Sequence, residues 1–133
     1  MSAVVVDTHT VVWYLTKNPA LSKAAETAMD QASADGHPIY VLSICLVELT
    51  YLVEKTKLPE IARQILVRAL DDTDEPYALA ALDRRVCEAL EFVPRNEVPD
   101  MPDRIIAATA VALQLPLVSR DRKIRASVVT TIW

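Results

Sequence analysis

A chain of 133 residues and 14.7 kDa is the length of one domain, enough for a real core and too short for two. Its net charge of −4 and pI near 5.1 exclude attraction to nucleic acid through overall positive charge. With 52% apolar residues and a single glycine, the composition points to a compact, helix-rich globule with short connections. A mean hydropathy of +0.20 leaves room for apolar surface that a partner covers.

Residues 3–7, AVVVD, are a short apolar run rich in β-branched side chains, the pattern of a strand buried on both faces. The opening MSAVVVD lacks a basic region, and its apolar stretch is too short for a signal peptide. Cys45 and Cys87 have no CxxC spacing and no neighbouring histidine, so they read as reduced thiols filling the core. Both features make a cytoplasmic protein the expectation.

HTVVWYLT (9–16) reads as a helix ending before KNPALS, and Ser22 suits the N-cap of a helix over 23–34 that stops at Asp35-Gly36. PIYVLS (38–43) reads as a second strand, with Ser43 capping a helix through Lys55. Pro59 opens a further helix to about Leu70, followed by the acidic turn DDTDEP. A helix is expected from about Leu79 to Phe92, then the proline-rich loop VPRNEVPDMP. The chain closes with a helix from Asp103 to Leu113, a strand over 116–119 and a final strand over 128–133. Gln114 and Pro116 interrupt the longest greasy segment, IIAATAVALQLPLV, which falls short of a membrane span. Strands alternating with helices imply an α/β fold with a mainly parallel sheet, whose ligands bind beyond the carboxyl ends of the strands.

Four acids fall at that edge. Asp7 ends the first strand, Glu48 lies about one turn into the helix after PIYVLS, Asp103 opens the helix before PLVS, and Asp121 follows that strand by two residues. Helical spacing sets Glu48 along a stripe with Ile44, Cys45, Tyr51 and Leu52, and Asp103 with Ile106, Ala107 and Ala110. Taken singly, each acid has a plainer role. Asp7 can cap the next helix, Asp103 gains from a helix dipole, Glu48 can pair with Arg104, and Asp121 can be a solvated loop acid. Together they are better explained by a bound cation, since a buried carboxylate is costly unless protonated or neutralised. Oxygen donors without clustered His or Cys suit Mg²⁺ or Mn²⁺. His9 and His37 are too few and too separated for a zinc site. Carboxylate-held divalent ions commonly cut phosphodiesters; no Cys–His pair, GxSxG elbow or Gly-rich phosphate loop supports another chemistry.

The segment RDRKIR (120–125) sets three arginines and a lysine around Asp121. Arg104 and Arg122 are candidates for contact with a nucleic-acid backbone, the alternative for Arg122, Lys123 and Arg125 being a solvated face. Arg104, at a buried helix entry, needs a partner, either one of the acids or a group from a bound protein. Trp13 and Tyr14 could stack on bases, but more often such residues are core or interface.

VVVDTHTVVWYL, LSICLVELTYLVEKTKLP, DMPDRIIAATAVALQLPLVSRDRKIR and the closing VVTTIW resemble, over nearly the whole chain, the PIN-domain ribonucleases. Among these the chain is similar to the VapC-type toxins of type II toxin–antitoxin pairs. The resemblance implies a PIN-like α/β fold over residues 1–133, with a mainly parallel central sheet of four to five strands flanked by helices. It also implies Mg²⁺- or Mn²⁺-dependent endonucleolytic cleavage of RNA, a cognate VapB-like antitoxin, frequent homodimerisation and no membrane association. Carried over, Asp7, Glu48, Asp103 and Asp121 form the acidic quartet. Asp7 and Asp103 would bind the metal, while Glu48 and Asp121 hold a second ion or orient water. Ser119 matches a position where the family often has a hydroxyl. Family members often read D-P-x-D-R where this chain has Asp100-Met101-Pro102-Asp103-Arg104, so Asp100 either faces the metal or caps the helix, and the cap is favoured. The tail RASVVTTIW also lacks a glycine often found before the last strand, which alters a turn. Two rival readings stand beside this one: a PIN module that binds RNA or protein without cutting, and a phosphatase with a nucleophilic aspartate. The phosphatase needs a second acid two residues after Asp7, where this chain has His9.

Overall fold

Valine triplets make poor helices and good buried strands, and in the computed structural model Val4–Val6 forms β1, all three residues buried. The structure describes residues 3–133; Met1 and Ser2, at the head of the stretch read above as lacking a leader, lie outside the described residues. β1 is the middle of a five-stranded, wholly parallel sheet ordered β3-β2-β1-β4-β5. The other strands are β2 (Ile39–Leu42), β3 (Tyr77–Ala80), β4 (Leu117–Val118) and β5 (Thr131–Ile132). Val6 lies opposite Val41 on one side and Val118 on the other. Because the chain runs outward from β1 in one direction through β2 and in the other through β4, the strand order reverses there. That reversal opens a crevice at the carboxyl ends of the strands.

Parallel neighbours need crossovers, and helices supply them. α1 (Thr8–Leu15), α3 (Ser43–Glu54) and α4 (Glu60–Asp71) pack on one another, and α2 (Lys23–Ala34) lies against β1, β2 and β5. α5 (Arg84–Ala89), a 3₁₀ turn over Leu90–Phe92 and α6 (Met101–Leu113) form a second group, and α7 (Arg122–Arg125) packs against α6. The apolar run of α6 is buried from Ile105 through Ala110, and alanines at 107, 108 and 110 allow close approach on several sides. Met29, Leu49 and Leu66 anchor α2, α3 and α4, each without solvent contact. Burial of side chains of this size contributes about 1.5–3 kcal/mol apiece.

Several local expectations are corrected. Tyr77–Ala80 is a strand beside β2, so the helix expected from Leu79 begins only at Arg84, where Asp83 accepts the Val86 N–H at 3.1 Å. Ser43 is the first residue of α3 rather than its cap; its hydroxyl donates to the Ala80 carbonyl at 3.4 Å, tying the helix to β3. Residues 122–125 form a helical turn with no counterpart in the sequence reading, and the last strand is shortened to Thr131–Ile132. Cys45 is buried, with its thiol pushed up to about 12 by that burial, but Cys87 is exposed and fills no core.

Thr10 is fully buried, and its hydroxyl is a side-chain oxygen without a hydrogen-bond partner among the described residues. Thr10→Val keeps the shape and removes the orphan group. It is expected to raise the unfolding free energy by about 1 kcal/mol in urea denaturation.

Candidate functional site

The residue after a buried strand emerges where the sheet ends, and here it is Asp7. Its backbone is extended, its Oδ1 accepts the Thr10 N–H at 3.0 Å as the N-cap of α1, and its Oδ2 accepts the Ser119 hydroxyl at 2.5 Å. Ser119 follows β4 and is fully buried; its oxygen accepts the Asp121 N–H at 3.1 Å. Asp121 in turn caps α7 by accepting the Ile124 N–H at 3.0 Å. A continuous chain of hydrogen bonds therefore ties the carboxyl ends of the two central strands together. Ser119→Ala leaves the Asp121 N–H and one Asp7 oxygen without this link, and is expected to lower stability by about 1–2 kcal/mol in chemical denaturation.

Glu48 reaches the same place from α3. Its Oε1 accepts the Thr8 hydroxyl at 2.7 Å, and burial raises its carboxyl, opposed by that hydrogen bond and supported by Asp100 and Asp7. Asp103 arrives from the first turn of α6, where Asp100 is the N-cap and accepts the Asp103 N–H at 3.1 Å. The Asp103 carboxyl is pushed up to about 7, first by burial and then by Asp121, Asp100, Glu48 and Asp7. Desolvation next to several like charges makes this the point of greatest electrostatic cost in the group.

Asp7, Glu48, Asp103 and Asp121 thus line one cleft of about 400 Å³, together with Asp100, Thr8, His9, Trp13, Ile106 and Arg120. The donor set is hard oxygen throughout and its charge is nearly all of one sign, which fits a hard divalent cation. The acids share the cleft without being gathered into a ready-made cage. Among the described residues no three His, Cys, Asp or Glu side chains form a metal-holding group as they stand. Hydrogen bonds to Thr10, Ser119, Thr8 and Ile124 occupy three of the four acids.

The PIN domain family model matches residues 4–127. This chain belongs to the PIN domain family. Over 125 residues the PIN domain is 28% identical to Ribonuclease VapC22 of Mycobacterium tuberculosis, covering 94% of this chain and 92% of that protein. Its fold is similar to that of VapBC2 from Rickettsia felis bound to a promoter DNA fragment (TM-score 0.71, 20% identity, 97% and 96% of the two chains). It is likewise similar to that of a toxin–antitoxin complex from Klebsiella pneumoniae (TM-score 0.64, 19% identity, 98% and 96% of the two chains).

Some residues that the sequence pointed to lie elsewhere in the PIN domain. Arg104 pairs with neither Glu48 nor another acid: its Nε donates to the Val93 carbonyl at 2.8 Å and its Nη2 to the Leu90 carbonyl at 3.0 Å. Arg122, Lys123 and Arg125 are exposed on α7 and do not line the cleft. The arginine that does is Arg120, whose guanidinium stands 4.7 Å from the centre of the Trp13 ring. His9 was passed over for the site, and Trp13 was weighed as a base-stacking residue but read as core or interface. Their i,i+4 spacing on α1, directly after Asp7, was the available signal, because it sets both on one helix face beside the strand end.

Proposed function

We propose that this PIN domain is a divalent-metal-dependent endoribonuclease and the toxin of a toxin–antitoxin pair. The observation that carries the reading is the convergence of Asp7, Glu48, Asp103 and Asp121 on one cleft. The mycobacterial relative, named a ribonuclease, supports RNA as the substrate. In this reading Asp7 and Asp103 hold Mg²⁺ or Mn²⁺, with Glu48 and Asp121 completing the acidic site. A bound divalent ion supplies positive charge against the scissile phosphate and acidifies water. Glu48, with its raised carboxyl fixed by Thr8, takes a proton from the attacking water. Ser119 holds Asp7 in orientation from behind, as hydrogen-bonded neighbours of ligating carboxylates do. Arg120 meets the RNA backbone.

Cleavage of single-stranded RNA is expected in Mg²⁺ or Mn²⁺ and absent in EDTA, with Asp7→Asn at least about a hundredfold slower than wild type. Wild-type rates in either arm would overturn the assignment. The same measurement separates a second reading, a PIN module that binds RNA or protein without cutting.

The antitoxin partner is supported by the similar fold of a structure described as a toxin–antitoxin complex. It is supported too by a groove lined by Ile44, Val47, Tyr51, Leu52, Met101 and Pro102, which shares Glu48 with the acidic cleft. Val47, Tyr51 and Met101 are all at least half exposed there, so a protein seated on them would stand over the acids. Homodimerisation and a cytoplasmic location belong to the same proposal. No helix among the described residues is long and apolar enough to cross a membrane.

A further inference from the structure

We infer that Trp13 is a positioning residue: its ring holds Arg120 off the carboxylates of the cleft, so that they stay available to a divalent cation. This rests on the metal-site reading of the same cleft and concerns two residues on its rim.

Five carboxylates, those of Asp7, Glu48, Asp100, Asp103 and Asp121, line the cleft, and Arg120 lines it with them. Opposite charge should draw the guanidinium onto the acids, where it would take the place of a metal. It does not go there. No ion pair among the described residues includes Arg120, and its guanidinium lies 4.7 Å from the centre of the Trp13 ring. The backbone around it is pinned. The Ser119 N–H donates to the Ile132 carbonyl at 3.2 Å, and the Asp121 N–H donates to the Ser119 hydroxyl at 3.1 Å. The Arg120 side chain itself is exposed, so its direction is set by what it rests on.

The Trp13 ring is fit to be that rest. It is tilted against His9 with centroids 5.5 Å apart, and against Trp133 with centroids 6.1 Å apart, so neighbours hold it in place. Exposed cation–π contacts and exposed ion pairs are of similar strength, and neither wins by a wide margin. A buttressed indole therefore tips the balance. Without it, Arg120 becomes a tethered competitor for the acids, lying next in sequence to one of them.

The test is calorimetric titration of Mn²⁺ into the EDTA-stripped chain, with folding checked by circular dichroism. Trp13→Leu is expected to bind Mn²⁺ about fivefold more weakly than wild type. Trp13→Phe, which keeps a ring face, and Arg120→Ala should each stay within about twofold. The double variant Trp13→Leu/Arg120→Ala should bind as Arg120→Ala does, because the competitor is gone. A merely structural loss at Trp13 would leave the double variant as weak as Trp13→Leu. In the metal-free protein, NMR should find the Arg120 side-chain protons shifted upfield by the indole, and back at ordinary arginine values in Trp13→Leu. Should Trp13→Leu fail to fold, Arg120→Ala decides: tightening by fivefold or more would mean that the arginine already sits on the acids. That result, unchanged affinity in a folded Trp13→Leu, an unrescued double variant, or ordinary Arg120 shifts in the wild type would each overturn the inference. A wild type that takes up no Mn²⁺ would sink the metal reading and this inference with it, whereas normal uptake indifferent to Trp13 sinks this inference alone.

Discussion

Asp103→Asn should abolish RNA cleavage and, at pH 8 in EDTA, melt at a higher temperature than the wild type. The two effects have one cause. Folding places the Asp103 carboxyl in a poorly solvated cleft beside Asp121, Asp100, Glu48 and Asp7, which raises it from 3.8 to about 7. Between those values the folded protein keeps a proton that the unfolded chain has released. Stability therefore falls as pH rises through that window, and the whole cost is present above about pH 7. The cleft is open to water, so the nominal shift is screened; about 1 kcal/mol is a fair expectation, or roughly 3–5 °C in melting temperature. Asparagine is neutral and nearly isosteric, so it removes the cost and with it the charge that, in the proposed reading, would hold a cation. The difference should shrink at pH 5 and vanish near pH 3. Addition of Mn²⁺ should raise the melting temperature of the wild type at pH 8 and leave the variant nearly unmoved. An Asp103→Asn protein that melts below wild type at pH 8 in EDTA would show that the carboxylate is a structural asset and not a strained one.

Arg104→Ala should destabilise the fold while sparing the chemistry. The guanidinium spans from α6 to the carbonyls of Val93 and Leu90, closing the end of the 3₁₀ turn with two hydrogen bonds and a favourable charge. Truncation leaves the Val93 carbonyl without this donor, in a half-buried place, and the Leu90 carbonyl with only the Val93 N–H. A loss of about 2–3 kcal/mol is expected in urea denaturation. Arg104→Lys should recover less than half of it, since an ammonium cannot offer the same two-pronged geometry. Assayed well below its melting temperature, Arg104→Ala should cut RNA within about threefold of wild type. A hundredfold loss in the folded variant would return Arg104 to the RNA-contact role that its sequence position suggested.

The parts of the fold that could be read from the chain are those in which one physical demand dominates. β1, β2 and β4 are buried on both faces and appear as unbroken apolar runs. β3 escapes because it is an edge strand of sequence YALA, with two alanines that favour helix and a half-exposed Leu79; only pairing with β2 makes it a strand. The acids were legible for a similar reason, each being a charge set against an apolar background. The carbonyl partners of Arg104 were not legible because a charge on a helix does not reveal which way a long, flexible side chain turns. Trp13 was read as core or interface because an aromatic beside a central strand has the same appearance in sequence whether it packs inward or borders a cleft. The cap role of Asp100 was readable from its spacing to Asp103, and the structure has that hydrogen bond.

The hydrogen bond between Ser119 and Asp7 joins residues 112 positions apart. At ordinary elongation rates the ribosome takes roughly 5 to 20 s to make the intervening stretch. Throughout that interval the nascent polypeptide carries Asp7 without the hydroxyl that orients it, and for most of it without the α6 acid as well. The cleft is therefore among the last features of the molecule to assemble.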